Sequence, residues 1–172
     1  MNQSFPKPDM STALTLLRRW LLTLLPEGTV IMRAHQNNVP APTGLYILMR
    51  PLLTTWLSRP WRGFSEGTVT TYTILRLDIE LSIAGDDAEA ISHWIALHFN
   101  DPSVISWFHA QDMQVTPLES TSPVSDVARD DARGYVVGWK WELAFQLNQT
   151  MSARIDTAEA AAIQVAPTHR AE

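Results

Sequence analysis

A chain of 172 residues and 19.3 kDa, 45% of it hydrophobic, is long enough for one domain with a real core and short for two. Its formal charge of −5 gives no general reason for nucleic-acid affinity, and the absence of cysteine removes disulfides, thiolate chemistry and cysteine-ligated zinc. The apolar stretch from Leu14 to Leu25 is interrupted by Arg18, Arg19 and Thr23 and is too short to span a bilayer, so the expectation is a soluble protein without an export signal.

Residues 1–10 hold Pro6 and Pro8 and no periodicity, which reads as a flexible arm, free or held by a neighbour. Ser11 or Thr12 then caps a first helix whose Leu14, Leu17, Leu21, Leu24 and Leu25 recur at three- and four-residue steps, and Pro26 and Gly28 stop it. A short strand over residues 29–34 leads into the polar loop His35-Gln36-Asn37-Asn38-Val39-Pro40-Ala41-Pro42-Thr43-Gly44. That loop is either a contact surface or an ordinary crossover whose amides cap its own backbone. Residues 45–50 make a strand, apolar on both sides and therefore central.

Residues 51–67 combine Leu53, Trp56, Leu57, Trp61 and Phe64 with Arg50, Arg59 and Arg62, broken by Pro60 and Gly63. The segment reads as an irregular strand partnering the start of the next one, or as a protruding loop. Two tryptophans beside two arginines fit a protein-binding surface; they also fit one closed end of the core.

Two long strands follow from alternation. Val69, Thr71, Thr73, Leu75, Leu77, Ile79, Leu81 and Ile83 share one phase, and Thr70, Tyr72, Arg76, Asp78, Glu80 and Ser82 the other, with Ile74 the exception. Tyr135, Val137, Trp139, Trp141, Leu143, Phe145 and Leu147 repeat the pattern against Gly138, Lys140, Glu142, Gln146 and Asn148. One apolar face per strand implies antiparallel sheet, because strands buried on both faces read as unbroken apolar runs.

Between them, Asp86 or Asp87 caps a helix ending near Phe99, with Ala88, Ile91, Ile95 and Phe99 as its buried stripe and Ala90, Trp94 and Leu97 at the edges. Asp101 and Pro102 start a second helix carrying Val104, Ile105, Trp107 and Phe108, and Met113, Val115 and Pro117 return to the sheet. Residues 119–133 read as an exposed loop, and residues 151–172 as a tail with a short helix over 156–162. The fold class is α+β: one domain over residues 11–150, mainly antiparallel sheet with long strands, one face covered by helices.

Chemistry is sparse. Gly63-Phe64-Ser65-Glu66-Gly67 matches the nucleophile-elbow pattern of a serine hydrolase, but that serine must sit between a strand and a helix, and here a strand follows. His93, His98 and His109 near Asp101 are the one conceivable metal set. His93 and His98 are five apart, so they do not share a helix face as a ligand pair must. No metal, cofactor or catalytic residue is assigned. Oversized strands, a proline-braced polar loop and seven tryptophans favour an assembly protein over a catalyst.

The order of the segments adds to this. Leu24-Leu25-Pro26, Val30-Ile31-Met32-Arg33, the Asn-x-Val-Pro-x-Pro-x-Gly loop from Asn37 to Gly44, and Tyr46-Ile47-Leu48-Met49-Arg50-Pro51 resemble the phage neck or tail terminator family of tailed bacteriophages. The likeness continues through Asp78-Ile79-Glu80-Leu81, Asp86-Asp87-Ala88 and Tyr135 to Leu143, covering residues 12 to 165. The stretch between Pro51 and Thr68 departs from the family, and its arginine-rich loops are missing.

What the resemblance implies is a structural virion protein, assembled in the host cytoplasm, forming a ring, most often a hexamer, at the head-proximal end of the tail tube. It stops tube polymerisation and meets the neck or connector, with sheath or collar proteins as further partners. DNA passes through the pore without specific binding, and no membrane is involved. Arg33, Gln36, Asn37, Asn38, Pro40, Pro42, Trp56, Arg59, Trp61 and Arg62 are then contact candidates, and Asp78, Glu80 and Glu142 candidates for the lumen. Two alternatives stand beside it: a head-completion or neck adaptor ring that terminates no polymer, and a small hydrolase using Ser65.

Overall fold

A computed structural model describes residues 10–34, 42, 44–130 and 134–154. The elements run α1 (Met10–Leu24), β1 (Val30–Arg33), β2 (Tyr46–Trp56), β3 (Trp61–Ser65), β4 (Thr68–Ala84), α2 (Ala88–Phe99), α3 (Pro102–Gln111), β5 (Val115–Ser120), β6 (Val124–Asp130) and β7 (Gly134–Arg154). The strands form one seven-stranded sheet of order β1-β2-β4-β7-β5, with β3 continuing along β4 and β6 along β7.

β4 and β7 are the two strands that alternation predicts, and they pair antiparallel without interruption from Thr68↔Arg154 to Ala84↔Gly138. At about 3.3 Å per residue the 17 residues of β4 extend roughly 55 Å, longer than the helical layer can cover. Their shared phase stacks Leu75, Leu77, Ile79 and Leu81 beside Leu147, Phe145, Leu143 and Trp141, all buried. The three helices seal this face. Trp20 of α1 meets Phe99 of α2 edge-on at 5.6 Å and Phe108 of α3 at 6.3 Å, and both phenylalanines reach Phe145. One aromatic cluster thus ties every helix to the central strand pair.

The mainly antiparallel α+β class holds, with one parallel pair, β1 beside β2. Four local details differ from the sequence expectation. Helix α1 begins at Met10, so Ser11 and Thr12 lie inside it. Trp94 and Leu97 are 49% and 67% exposed, while Ser92 and Ala96 take the buried stripe of α2 instead; Ser92 satisfies its hydroxyl on the Glu89 carbonyl at 2.7 Å. Residues 124–130 form β6 rather than a loop, because β7 continues past the core and gives them a strand to pair with. For the same reason β7 runs to Arg154, into the segment expected to be a tail; the remaining tail residues and their expected helix lie outside the described residues.

Residues 51–67 resolve as strand. β2 carries on through Pro51 to Trp56 with a register shift between Pro51 and Leu53, and β3 pairs with the start of β4. Glu66 and Gly67 close the β3–β4 hairpin with φ of 45° and 71°, the two positive values that a tight turn matching strand twist requires.

The sheet contains the same arrangement twice. β2, a break ending in Pro60, β3 and β4 correspond to β5, a break ending in Pro123, β6 and β7. Pro51 lies opposite Ile79 and Pro117 opposite Phe145, at equal separations along the chain, and each proline precedes a register shift. Both stand on flanking strands where a missing outward N–H breaks no ladder. Asp78 and Ala144, equally distant from Pro51 and Pro117, face each other and mark a local two-fold axis through the sheet.

Phe145→Ala removes the ring on which two helices converge and should cost about 3–5 kcal/mol in urea denaturation. Gly85 ends β4 at φ +117°, and a Cβ there would stand 2.7 Å from the Gly44 carbonyl oxygen. Gly85→Ala should therefore destabilise by more than about 1 kcal/mol, combining the left-handed penalty with the clash, and thermal melting would show it.

Candidate functional site

At the Thr68 end of the sheet, β3, the first part of β4 and the last part of β7 extend beyond the helices as a three-stranded arm. Alternation still sorts its side chains, but no helix of the described residues lies beneath it. On the helix-side face, Phe64 opposite Val69, together with Trp56 and Met151, stays open to solvent, with Phe64 71% and Trp56 66% exposed. On the other face, Trp61 stacks on Tyr72 across the β3–β4 pair, 5.3 Å between ring centres and 13° from parallel. Leu53 and Leu57 add to the exposed apolar surface nearby. Exposed aromatic and aliphatic groups concentrated at one end of a chain mark a surface for another protein.

Arg59 and Arg62 are exposed in the same region, so four of the contact candidates, Trp56, Arg59, Trp61 and Arg62, come together on this arm. Arg33 is exposed at the end of β1, beside Met49 of β2 and seven residues short of Trp56, and Pro42 is half-buried. Gln36, Asn37, Asn38 and Pro40 lie outside the described residues. Phe64 and Met151 join the arm although neither was a contact candidate. Met151 was hidden by the expectation that β7 ends at Leu147, and the alternation after Leu147 is too polar to show that the strand continues.

The second feature is the sheet face turned away from the helices. Its strand phase carries Arg50, Arg76, Asp78, Glu80, Lys140 and Glu142. Arg50 Nη2 donates to both Glu80 oxygens, at 2.8 and 2.9 Å. Arg76 donates through Nε to Asp78 and through Nη1 to Glu119, each at 2.8 Å, and these two carboxylates hold its guanidinium pKa above the ordinary value. Two of the three lumen candidates, Asp78 and Glu80, are therefore charge-balanced by arginine, and Glu142, opposite Glu80, is exposed. The face is polar and close to neutral, with its ions partnered in water, where such pairs contribute little to stability.

The remaining chemical motifs do not converge. Ser65 is exposed at the end of β3 and leads through the tight turn into a strand, not a helix. His98 Nδ1 bonds the Trp94 carbonyl, His109 Nε2 bonds Thr116 Oγ1, and His93 packs on Trp139. Among the described residues no group of three or more His, Cys, Asp or Glu side chains is placed to hold a metal, and no helix is long and apolar enough to cross a membrane.

Because Phe64 is largely solvated, Phe64→Ala should change unfolding stability by no more than about 0.5 kcal/mol. A loss comparable to that of Phe145→Ala in the same denaturation series would show that the arm belongs to the folded core.

No curated protein matches the chain. The family model described as phage neck terminator protein matches residues 12–169, nearly the whole length. A chain with a helix-backed sheet, an open polar face and an aromatic arm is accordingly a structural protein of the phage neck, and it belongs to the phage neck terminator protein family.

Proposed function

We propose that copies of this chain close into a ring, a hexamer, on the head-proximal end of the tail tube, where the ring ends tube polymerisation and joins the tail to the neck or connector. The observation that carries this reading is the uncovered arm. A lone subunit leaves Trp61 and Phe64 in water, and burying such side chains is worth about 1.5–3 kcal/mol each. A ring requires a contact between two different surface patches related by a closing rotation, and an arm that overhangs one end of the fold reaches a neighbour without rearranging the core.

Helices on one side and a near-neutral polar face on the other give the ring an orientation. With the open face inward, Asp78, Glu80 and Glu142 line the lumen. Arg50 and Arg76 are engaged by carboxylates, so the wall offers few free cations to the phosphates of passing DNA. The polar loop bearing Gln36, Asn37, Asn38, Pro40 and Pro42 follows Arg33 in the chain and supplies further contacts.

Electron microscopy of the purified protein mixed with tube subunits tests the reading. Capped tubes of reduced length support it; tubes of unchanged length distribution bearing no added density overturn termination, and binding to connector protein alone in a pull-down favours a neck adaptor. The combined Trp61→Ala and Phe64→Ala variant should lose the ring in native mass measurement while keeping its melting temperature within a few degrees. Asn37→Ala with Asn38→Ala should likewise impair assembly more than melting.

A further inference from the structure

The underside of the arm is a groove. It opens where the helical layer stops, has a volume of about 570 Å³, and runs across β2, β4 and β7 between the start of α1 and the end of α3. Its floor is the buried edge of the core, Leu75, Val115 and Leu147, and its outer wall is Trp56 and Met151. Gln149 brings its amide to the rim. Asp112 is the one charged side chain among the described lining residues.

The chain enters the fold at this groove. Met10, the first described residue, lies with its sulfur 3.7 Å from Thr54 Oγ1, and both Thr54 and Thr12 line the groove. Residues 1–9, Met-Asn-Gln-Ser-Phe-Pro-Lys-Pro-Asp, therefore begin from its rim.

We propose that the groove is the docking site of the chain's own residues 1–9. Reach, shape and charge agree. Thr54 lies level with Leu77 and Gln149 with Thr73, so from Thr54 to Gln149 is two strand spacings across and four residues along, about 16 Å, whereas the six residues from Ser4 to Met10 span up to about 20 Å when extended. Phe5, followed by Pro6 and Pro8, is an aromatic side chain on a backbone whose prolines favour the extended polyproline conformation. Such a segment leaves its carbonyls unbonded and suits a groove that offers an aromatic wall and amide donors. For the Phe5 ring the groove offers the indole of Trp56 and the thioether of Met151, a group that makes favourable contact with an aromatic edge. Lys7, three residues before Met10, supplies a cation for Asp112, whose carboxylate has no ion-pair partner among the described residues and accepts the Gln114 N–H. Tethering sets a millimolar effective concentration, so even weak contacts suffice to hold the segment in place.

The absence of cysteine makes a direct test free of background. Full-length protein carrying Ser4→Cys and Gln149→Cys is oxidised mildly at low concentration and read by mass and by linked-peptide mapping. A link within one chain in most molecules is expected, reduced at least fivefold by adding Phe5→Ala. The pair Ser4→Cys and Ser125→Cys, the latter on β6 at the far end of the sheet, should link at no more than a tenth of that yield. No link at position 149, or equal linking at 125, overturns the proposal. A link only between chains overturns docking in the segment's own groove and assigns it to a neighbour's. None of these outcomes depends on ring formation, since the intrachain link is read on the unassembled subunit.

Discussion

The uninterrupted antiparallel pairing of β4 with β7 is the constraint from which the rest follows. It fixes which side chains share a face along the whole sheet, because a slip of one residue would turn Leu77, Ile79, Leu143 and Phe145 out of the core together. Every other element is attached to this pair. β2 and β3 complete one side of β4, β5 and β6 one side of β7, and the three helices rest on the face the pair makes apolar. The pair is longer than the helical layer, so its ends must project, and the exposed aromatic arm is a geometric consequence of strand length. Stability is thereby concentrated in the middle, where the Trp20, Phe99, Phe108 and Phe145 cluster sits, and the projecting end is free to serve contacts.

What could be read from the residues was whatever alternation or capping chemistry expresses locally. The two long strands were legible because leucine, isoleucine and tryptophan alternate with polar residues over many positions. The start of α3 was legible because Asp101 followed by Pro102 satisfies a helix N-terminus chemically; in the structure the Asp101 carboxylate accepts from Ser103 N at 2.8 Å. Strand β6 was not legible. Val124-Ser125-Asp126-Val127-Ala128-Arg129-Asp130 has weak alternation, and its strand state comes from β7, a partner later in the chain. Likewise Gln149 to Arg154 is too polar to announce a strand, whereas Thr68 to Thr73 was read as strand, with Val69, Thr71 and Thr73 in the core-facing phase, and is only half-buried.

The candidate site divides along the same line. Tryptophan beside arginine singled out Trp56, Arg59, Trp61 and Arg62, because those residue types are costly to leave exposed without a partner, and β3 gathers them on one arm. The polar strand phase singled out Asp78, Glu80 and Glu142. The neutralisation of Glu80 by Arg50 was not visible, because it depends on the register between β2 and β4, and neither was the bridge from Arg76 to a carboxylate of β5. Phe64 and Met151 became part of the site only through pairing, which puts their side chains on the helix-side face beyond the end of the helical layer.

The recurrence of one strand pattern on either side of the Asp78–Ala144 pair carries a further consequence. Two identical chains joined about such an axis would have to present the same termini to both neighbours, whereas a single chain that encodes both halves can give each its own chemistry. Here one half ends in tryptophan and phenylalanine at β3 and the other in valines at Val124 and Val137, so the molecule is polar in function while nearly balanced in form. A component that must meet unlike structures above and below gains its directionality from that divergence rather than from a different architecture at each end.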